Sequence, residues 1–253
     1  MVSGKTKKRS LSLKNVDLIK SRTTGVPIQI ETVEAEYYPG TAGYMFSPRL
    51  PGKFPGVVMI HEWWGVNDNI KKMAQQLANE SYVVLVADLF NGKAASNPDE
   101  AKKLVSKINS TEAVQNLRAG VSYLRDNHRV NPSKIGTIGW CFGGGQSLRL
   151  ALSGEQLAAI VIFYGELETD SQKLSAMKVP VLGIFGDQDG MIPVERVRSF
   201  ESLLKQLGVR VEIHLYLGVG HAFANPSSRA YAPREAVDAW QKTLAFFAST
   251  LKQ

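Results

Sequence analysis

Gly139-Trp140-Cys141-Phe142-Gly143 is the stretch that decides the fold. An apolar run, Ile135-Gly136-Thr137-Ile138, leads into it, and a glycine-rich helix start, Gly143-Gly144-Gly145-Gln146-Ser147, leads out. Strand, sharp turn and helix form the backbone path that lifts a nucleophile clear of a sheet. The turn is tight enough that a side chain two positions away would collide with it, which explains glycine at 139 and 143. Serine usually fills the centre of such a turn. Here it is Cys141, the only cysteine in the chain. The plainer reading is a buried structural thiol beside an ordinary turn. Against it stand the partners that follow in chain order.

Working outward, residues 55–60, 82–87, 158–163 and 179–185 are continuous apolar runs, as central parallel strands should be, and 134–138 leads into the turn. A last strand is predicted over 210–217. Helical spacing is found over 69–79, near 98–108 and 111–127, over 194–207 and from about 234 to 251. Residues 28–33 alternate and 43–46 follow a Pro-Gly turn, so both are expected as antiparallel edge strands. No repeat, linker or composition break divides the chain. The expectation is a basic extension over 1–25 and one α/β domain over 26–253, with a mostly parallel sheet and helices on both faces. Ligands of such sheets bind beyond the carboxyl ends of the strands.

At 253 residues and 44% hydrophobic, the chain can bury one sizeable core. A lone cysteine excludes an intramolecular disulfide. No run of eighteen apolar residues offers a membrane span, and the N-terminus lacks the apolar stretch of a signal peptide. A cytoplasmic protein is expected; an exported one whose signal had been removed would read the same. Residues 1–22 hold seven Lys and Arg against Asp17 alone, so that segment carries six of the seven net positive charges. No aromatic residue is interleaved with them, and no nucleic-acid-binding signature accompanies them. Nucleic acid is not an expected partner, and a monomer or weak homodimer is expected.

An attacking thiol needs a base, and the base needs an orienting acid. Of four histidines, His221 in Gly220-His221-Ala222-Phe223 lies just after the last strand, where a loop can carry the ring over the sheet edge. His214 and His128 are more easily read as structural or surface groups, and His61 adjoins the first central strand. The acid comes from Asp187-Gln188-Asp189-Gly190. Asp189 sits deeper in the loop and is favoured, while Asp187 suits a bond to the turn backbone. Nucleophile, acid, histidine is the α/β-hydrolase order. His61-Glu62-Trp63-Trp64-Gly65 is not a zinc motif, because glycine stands where the second histidine would. No metal or cofactor is called for. Its position suits the second oxyanion amide, assigned to Trp63 beside that of Phe142. Glu62 is then a carboxylate near the nucleophile, or a salt bridge or cap. At least one of Trp63 and Trp64 is expected to line the cleft.

These motifs resemble the dienelactone hydrolase family from about Tyr38 to the C-terminus. Besides the elbow, the loop acid and the histidine segment, Glu62 with Gly65-Val66-Asn67 and Ala87-Asp88-Leu89-Phe90 match the family. The resemblance implies a triad of Cys141, Asp189 and His221. It also implies that Glu62 contacts the resting thiol and helps form the thiolate, and that Tyr164 is an aromatic at the cleft. The family's arginines for a substrate carboxylate are missing: Lys93 and Asn225 stand near their places. A lysine lacks the planar two-donor fork that matches a carboxylate. The activity expected is hydrolysis of a small, partly apolar ester or lactone through a thiol acyl-enzyme, with Trp63, Trp64, Phe90, Phe142, Tyr164 and Phe223 near the cleft. A non-catalytic ligand-binding relative and a basic-tail protein that binds an anionic surface are the two other readings.

Overall fold

The computed structural model describes residues 28–253; the basic segment read over 1–25 lies outside the described residues. Eight strands form one sheet in the order β1-β2-β4-β3-β5-β6-β7-β8. β1 (Ile30–Tyr38) and β2 (Thr41–Pro48) pair antiparallel across Pro39-Gly40, with Gly40 at φ +68° as that turn requires. β2 also pairs antiparallel with β4 (Val83–Ala87), so of these two strands β1 alone lies at an edge, and the expectation that both do is corrected. Gly43 permits this, because a Cβ there would lie 2.3 Å from the Val86 carbonyl oxygen.

β3 (Phe54–Ile60), β5 (Val130–Trp140), β6 (Ala159–Phe163), β7 (Val181–Gly186) and β8 (Val211–Tyr216) run parallel with β4. β4, β6 and β7 are buried at every position, which is why they read as unbroken apolar runs. Alternation still sorts their side chains. Val57 and Met59 enter one core layer, and Val58 and Ile60 the other.

The first layer is covered by α1 (Asp68–Asn79) and α7 (Pro233–Leu251), which contribute Ile70, Leu77, Phe246 and Phe247. The opposite face carries α3 (Ser110–Arg125), α4 (Phe142–Leu152) and α6 (Val194–Gln206), with Leu117, Val121, Leu148, Phe200 and Leu204 against the sheet. Truncating a phenylalanine as buried as Phe200 to alanine costs about 3–5 kcal/mol. α2 (Pro98–Ser106) and the four-residue α5 (Ser171–Leu174) complete the chain. Four of the helices begin where a side chain replaces a missing acceptor: Asn67, Asn97, Asn109 and Asp170 each accept from a first-turn N–H of α1, α2, α3 and α5. Among the described residues no helix is long and apolar enough to cross a membrane.

The parallel strands deliver their carboxyl ends to one side of the sheet. Glu62 follows β3, Cys141 follows β5, Tyr164 follows β6, Asp189 follows β7 and His221 follows β8.

Candidate active site

Cys141 sits at φ +52° and ψ −116°, a conformation that costs roughly 1–3 kcal/mol for a residue with a side chain. Packing on both sides holds it there. Its N–H donates to the Phe163 carbonyl (2.9 Å) and its carbonyl accepts from Gly145 N–H (3.2 Å). A Cβ on Gly139 would fall 2.1 Å from the Gly143 oxygen, and one on Gly143 would fall 2.4 Å from the Ile60 oxygen. The crowding that forces glycine is thus between the arms of the turn, and between the turn and β3. α4 starts at the next residue without a side-chain cap, so its first amides point toward the thiol's surroundings.

His221 Nδ1 donates to Asp189 Oδ2 at 2.8 Å. Asp189 is 5% exposed, and its other oxygen accepts from Met191 N–H (2.8 Å) and Ile192 N–H (3.1 Å), which fixes the carboxylate. Asp187 instead accepts from Gly218 N–H at 2.7 Å. Burial alone would lower the His221 pKa. The bond to Asp189 and the neighbouring Cys141 sulfur outweigh it and raise the pKa to about 10. Nε2, the nitrogen free of Asp189, is buried without a hydrogen-bond partner among the described residues. His128 and His214 stand apart from this cluster, with His214 in β8.

Glu62 lines the same cleft as Cys141 and His221. Tyr164 donates its hydroxyl to Glu62 Oε1 (3.4 Å), and the Asn225 side-chain amide donates to Oε2. The carboxylate's hydrogen-bond partners among the described residues are Tyr164 and Asn225, and the expected contact with the resting thiol is not among these bonds. Burial pushes the Glu62 pKa up to about 7, with Asn225, His221 and Tyr164 opposing the rise. Burial also holds the Tyr164 hydroxyl far above its ordinary value, and negative charge on Glu62 and Cys141 reinforces this. Tyr164 is strained as well, at φ +37°. Asn225 is 5% exposed and accepts from Ser227 N–H (2.8 Å). It stands near the place of an expected carboxylate-binding arginine, and its amide donates to Glu62.

The loop that carries Glu62 and Trp63 is seated from below by His61. That ring is wholly buried, donates from Nδ1 to the Glu62 carbonyl (2.6 Å) and accepts at Nε2 from Leu89 N–H (3.1 Å). Burial depresses its pKa, so it is a neutral structural group. Among the described residues, the Trp63 and Phe142 N–H groups are absent from the turn hydrogen bonds around them. These are the two amides expected to face an oxyanion.

A cleft of about 1210 Å³ opens over Cys141 and His221. Trp63 and Trp64 both line it, edge to face with ring centroids 5.0 Å apart, along with Phe142, Tyr164, Met191 and Ile192. Three residues expected at the cleft lie elsewhere. Phe90 is 5% exposed, packed 4.7 Å from the His61 ring and 5.6 Å from Phe142. Its main-chain N–H is tied to Asp88, which turns the side chain under the site. Lys93 lines a separate depression with Phe90. Phe223 is fully buried between Tyr164 and Tyr216. Unforeseen were Lys102, Arg196 and Arg229, cations from three different segments that line the cleft. Among the described residues no group of three or more His, Cys, Asp or Glu side chains is arranged to hold a metal ion.

A mostly parallel eight-stranded sheet, a strained elbow after β5, and an acid and histidine after later strands define an α/β-hydrolase. The model of the dienelactone hydrolase family matches residues 41–251, and the chain belongs to that family and is a hydrolase. Protein usf of Aquifex pyrophilus is 35% identical over 215 residues, which cover 81% of this chain and 91% of that one. A protein of Aquifex aeolicus provisionally named a carboxymethylenebutenolidase is 31% identical over 218 residues, 83% of this chain and 94% of its own length. A crystal structure from Klebsiella pneumoniae, provisionally called a dienelactone hydrolase, superposes with a TM-score of 0.78 at 26% identity, covering 87% of this chain and 99% of that one.

Proposed function

We propose that the protein hydrolyses carboxylic esters or lactones through a covalent thioester on Cys141. The observation that carries this is the Asp189–His221 pair, 2.8 Å apart, beside a single thiol at a strained elbow. The thiolate of Cys141 attacks the carbonyl carbon, and the carbonyl electron pair moves to oxygen. The Trp63 and Phe142 amides, with the start of α4, stabilise that oxyanion. The tetrahedral species collapses, the C–O bond breaks, and the His221 imidazolium gives its proton to the leaving alkoxide. The now neutral ring takes a proton from water, whose oxygen attacks the thioester. Collapse releases the carboxylic acid and restores the thiolate–imidazolium pair. Asp189 holds the tautomer throughout. In a lactone the alcohol and acid are the two ends of one product.

Rapid-quench mass spectrometry on a short-chain activated ester tests this. An acyl increment on Cys141 that forms and decays within the turnover time is expected. Cys141→Ala should lose both the increment and the hydrolysis while its circular dichroism is unchanged. Full turnover by a folded Cys141→Ala protein would refute the proposal.

A further inference from the structure

Outside its basic N-terminal segment the chain is nearly neutral, since residues 1–22 carry six of the seven net charges. The cleft departs from that average. Four lysine and arginine side chains line it, Lys102, Arg149, Arg196 and Arg229, against two carboxylates, Glu62 and Glu166. Arg149 and Glu166 neutralise each other at 2.6 Å. Lys102 on α2, Arg196 on α6 and Arg229 in the loop after His221 make no ion pair among the described residues. All three are exposed, so they border the outer part of the cleft, while Glu62, Tyr164 and Asn225 lie at its base.

Charge and size therefore divide the site. An anion next to the scissile carbonyl would meet Glu62 and no unpaired cation. An anion several bonds away would meet three cations, after a body of substrate has crossed the apolar walls formed by Trp63, Trp64, Val105 and Met191. The volume, about 1210 Å³, is above the usual range for a drug-sized ligand and far beyond the need of a single small lactone ring. Cations that line a cleft with low-dielectric walls also raise the local concentration of anionic ligands.

We infer that the preferred substrate is an ester with an extended apolar body and an oxyanionic group, carboxylate or phosphate, at its far end, held by Lys102, Arg196 and Arg229. This rests on the hydrolase reading above, and one experiment separates the two. The 4-nitrophenyl monoester of octanedioic acid and the 4-nitrophenyl ester of octanoic acid have the same length and leaving group and differ in terminal charge. The wild-type kcat/KM for the anionic ester should exceed that for the neutral one by about tenfold, the scale of three weak solvent-exposed charge interactions, chiefly through KM. The ratio should fall toward one in the Lys102→Gln/Arg196→Gln/Arg229→Gln protein, and in about 0.5 M salt, where screening acts over a few ångströms. Arg198→Gln, which removes one positive charge from α6 outside the cleft, should leave the ratio alone.

A second readout needs no turnover. Octanedioate and octyl phosphate should slow iodoacetamide alkylation of Cys141, the only thiol, more than octanediol does. The stronger of the two names the anion. An equal ratio for the two esters with equal protection by diacid and diol would overturn the inference and leave the hydrolase reading standing. Selective protection without hydrolysis of either ester would keep the anion site and overturn the hydrolase reading.

Discussion

Glu62 carries its charge in a place that resists it, and the consequence can be measured twice. Its pKa is raised from 4.5 to about 7, because burial outweighs the donors on Asn225 and Tyr164. The folded state therefore binds this proton more tightly than the unfolded chain does. The stability it contributes is fully present below its ordinary value of 4.5 and is lost as pH rises through about 7. Glu62→Gln keeps the shape and cannot ionise. Its Tm should differ little from wild type near pH 5 and exceed it above about pH 8, a gap that thermal denaturation at the two pH values will read. If the ionised carboxylate serves catalysis, the same variant should lower kcat and flatten the rise of kcat/KM through about pH 7. A Tm gap with an unaltered pH–rate profile would leave Glu62 a purely structural cost. A residue-scale reading of the sequence reached Glu62 as a carboxylate near the nucleophile. It could not reach the partners, since Tyr164 and Asn225 are 102 and 163 positions away and nothing local marks the pairing.

At the scale of elements, the site depends on how closely α4 approaches β3 and β6. Glycines set that approach. A Cβ on Gly165, just beyond β6, would lie 2.5 Å from Gly144 C and Gly145 N, backbone atoms with no freedom to move aside. Gly165→Ala should push the start of α4 outward and spoil the Phe142 amide's alignment. The expected loss is about 10²–10³ in kcat, the cost of one misplaced oxyanion donor, with a lowered Tm. Gly190→Ala, where a Cβ meets nothing within 4 Å, is the matched control. Equal kcat for the two variants would show that the helix start is not held by this contact. The apolar runs and helical spacings made the parallel strands and long helices legible, because full burial and a 3.6-residue period leave marks in composition. α5 left none, as four residues are too few for a period. Nor does aromatic character reveal which way a loop turns: Phe90 and Phe223 sit next to the site in sequence and point into the core, while Trp63 and Trp64 face the cleft.

For the whole molecule, the excess charge and the family match occupy different stretches of the chain. The family match begins at residue 41 and the described fold at residue 28, whereas the excess charge ends at residue 22. Every group in the proposed chemistry lies between Glu62 and Asn225. Deleting residues 1–22 should thus bring the pI from about 9.4 toward neutrality. It should leave kcat/KM for a neutral short-chain ester within about twofold, since an uncharged substrate is not steered by added positive charge. An anionic ester is the more demanding probe. If Lys102, Arg196 and Arg229 alone supply the field it meets, its preference over the neutral ester should survive the deletion. If the preference instead falls with the basic segment, at full folded content by circular dichroism, the attraction belongs to residues 1–22, and assigning it to the three cleft cations would have to be given up.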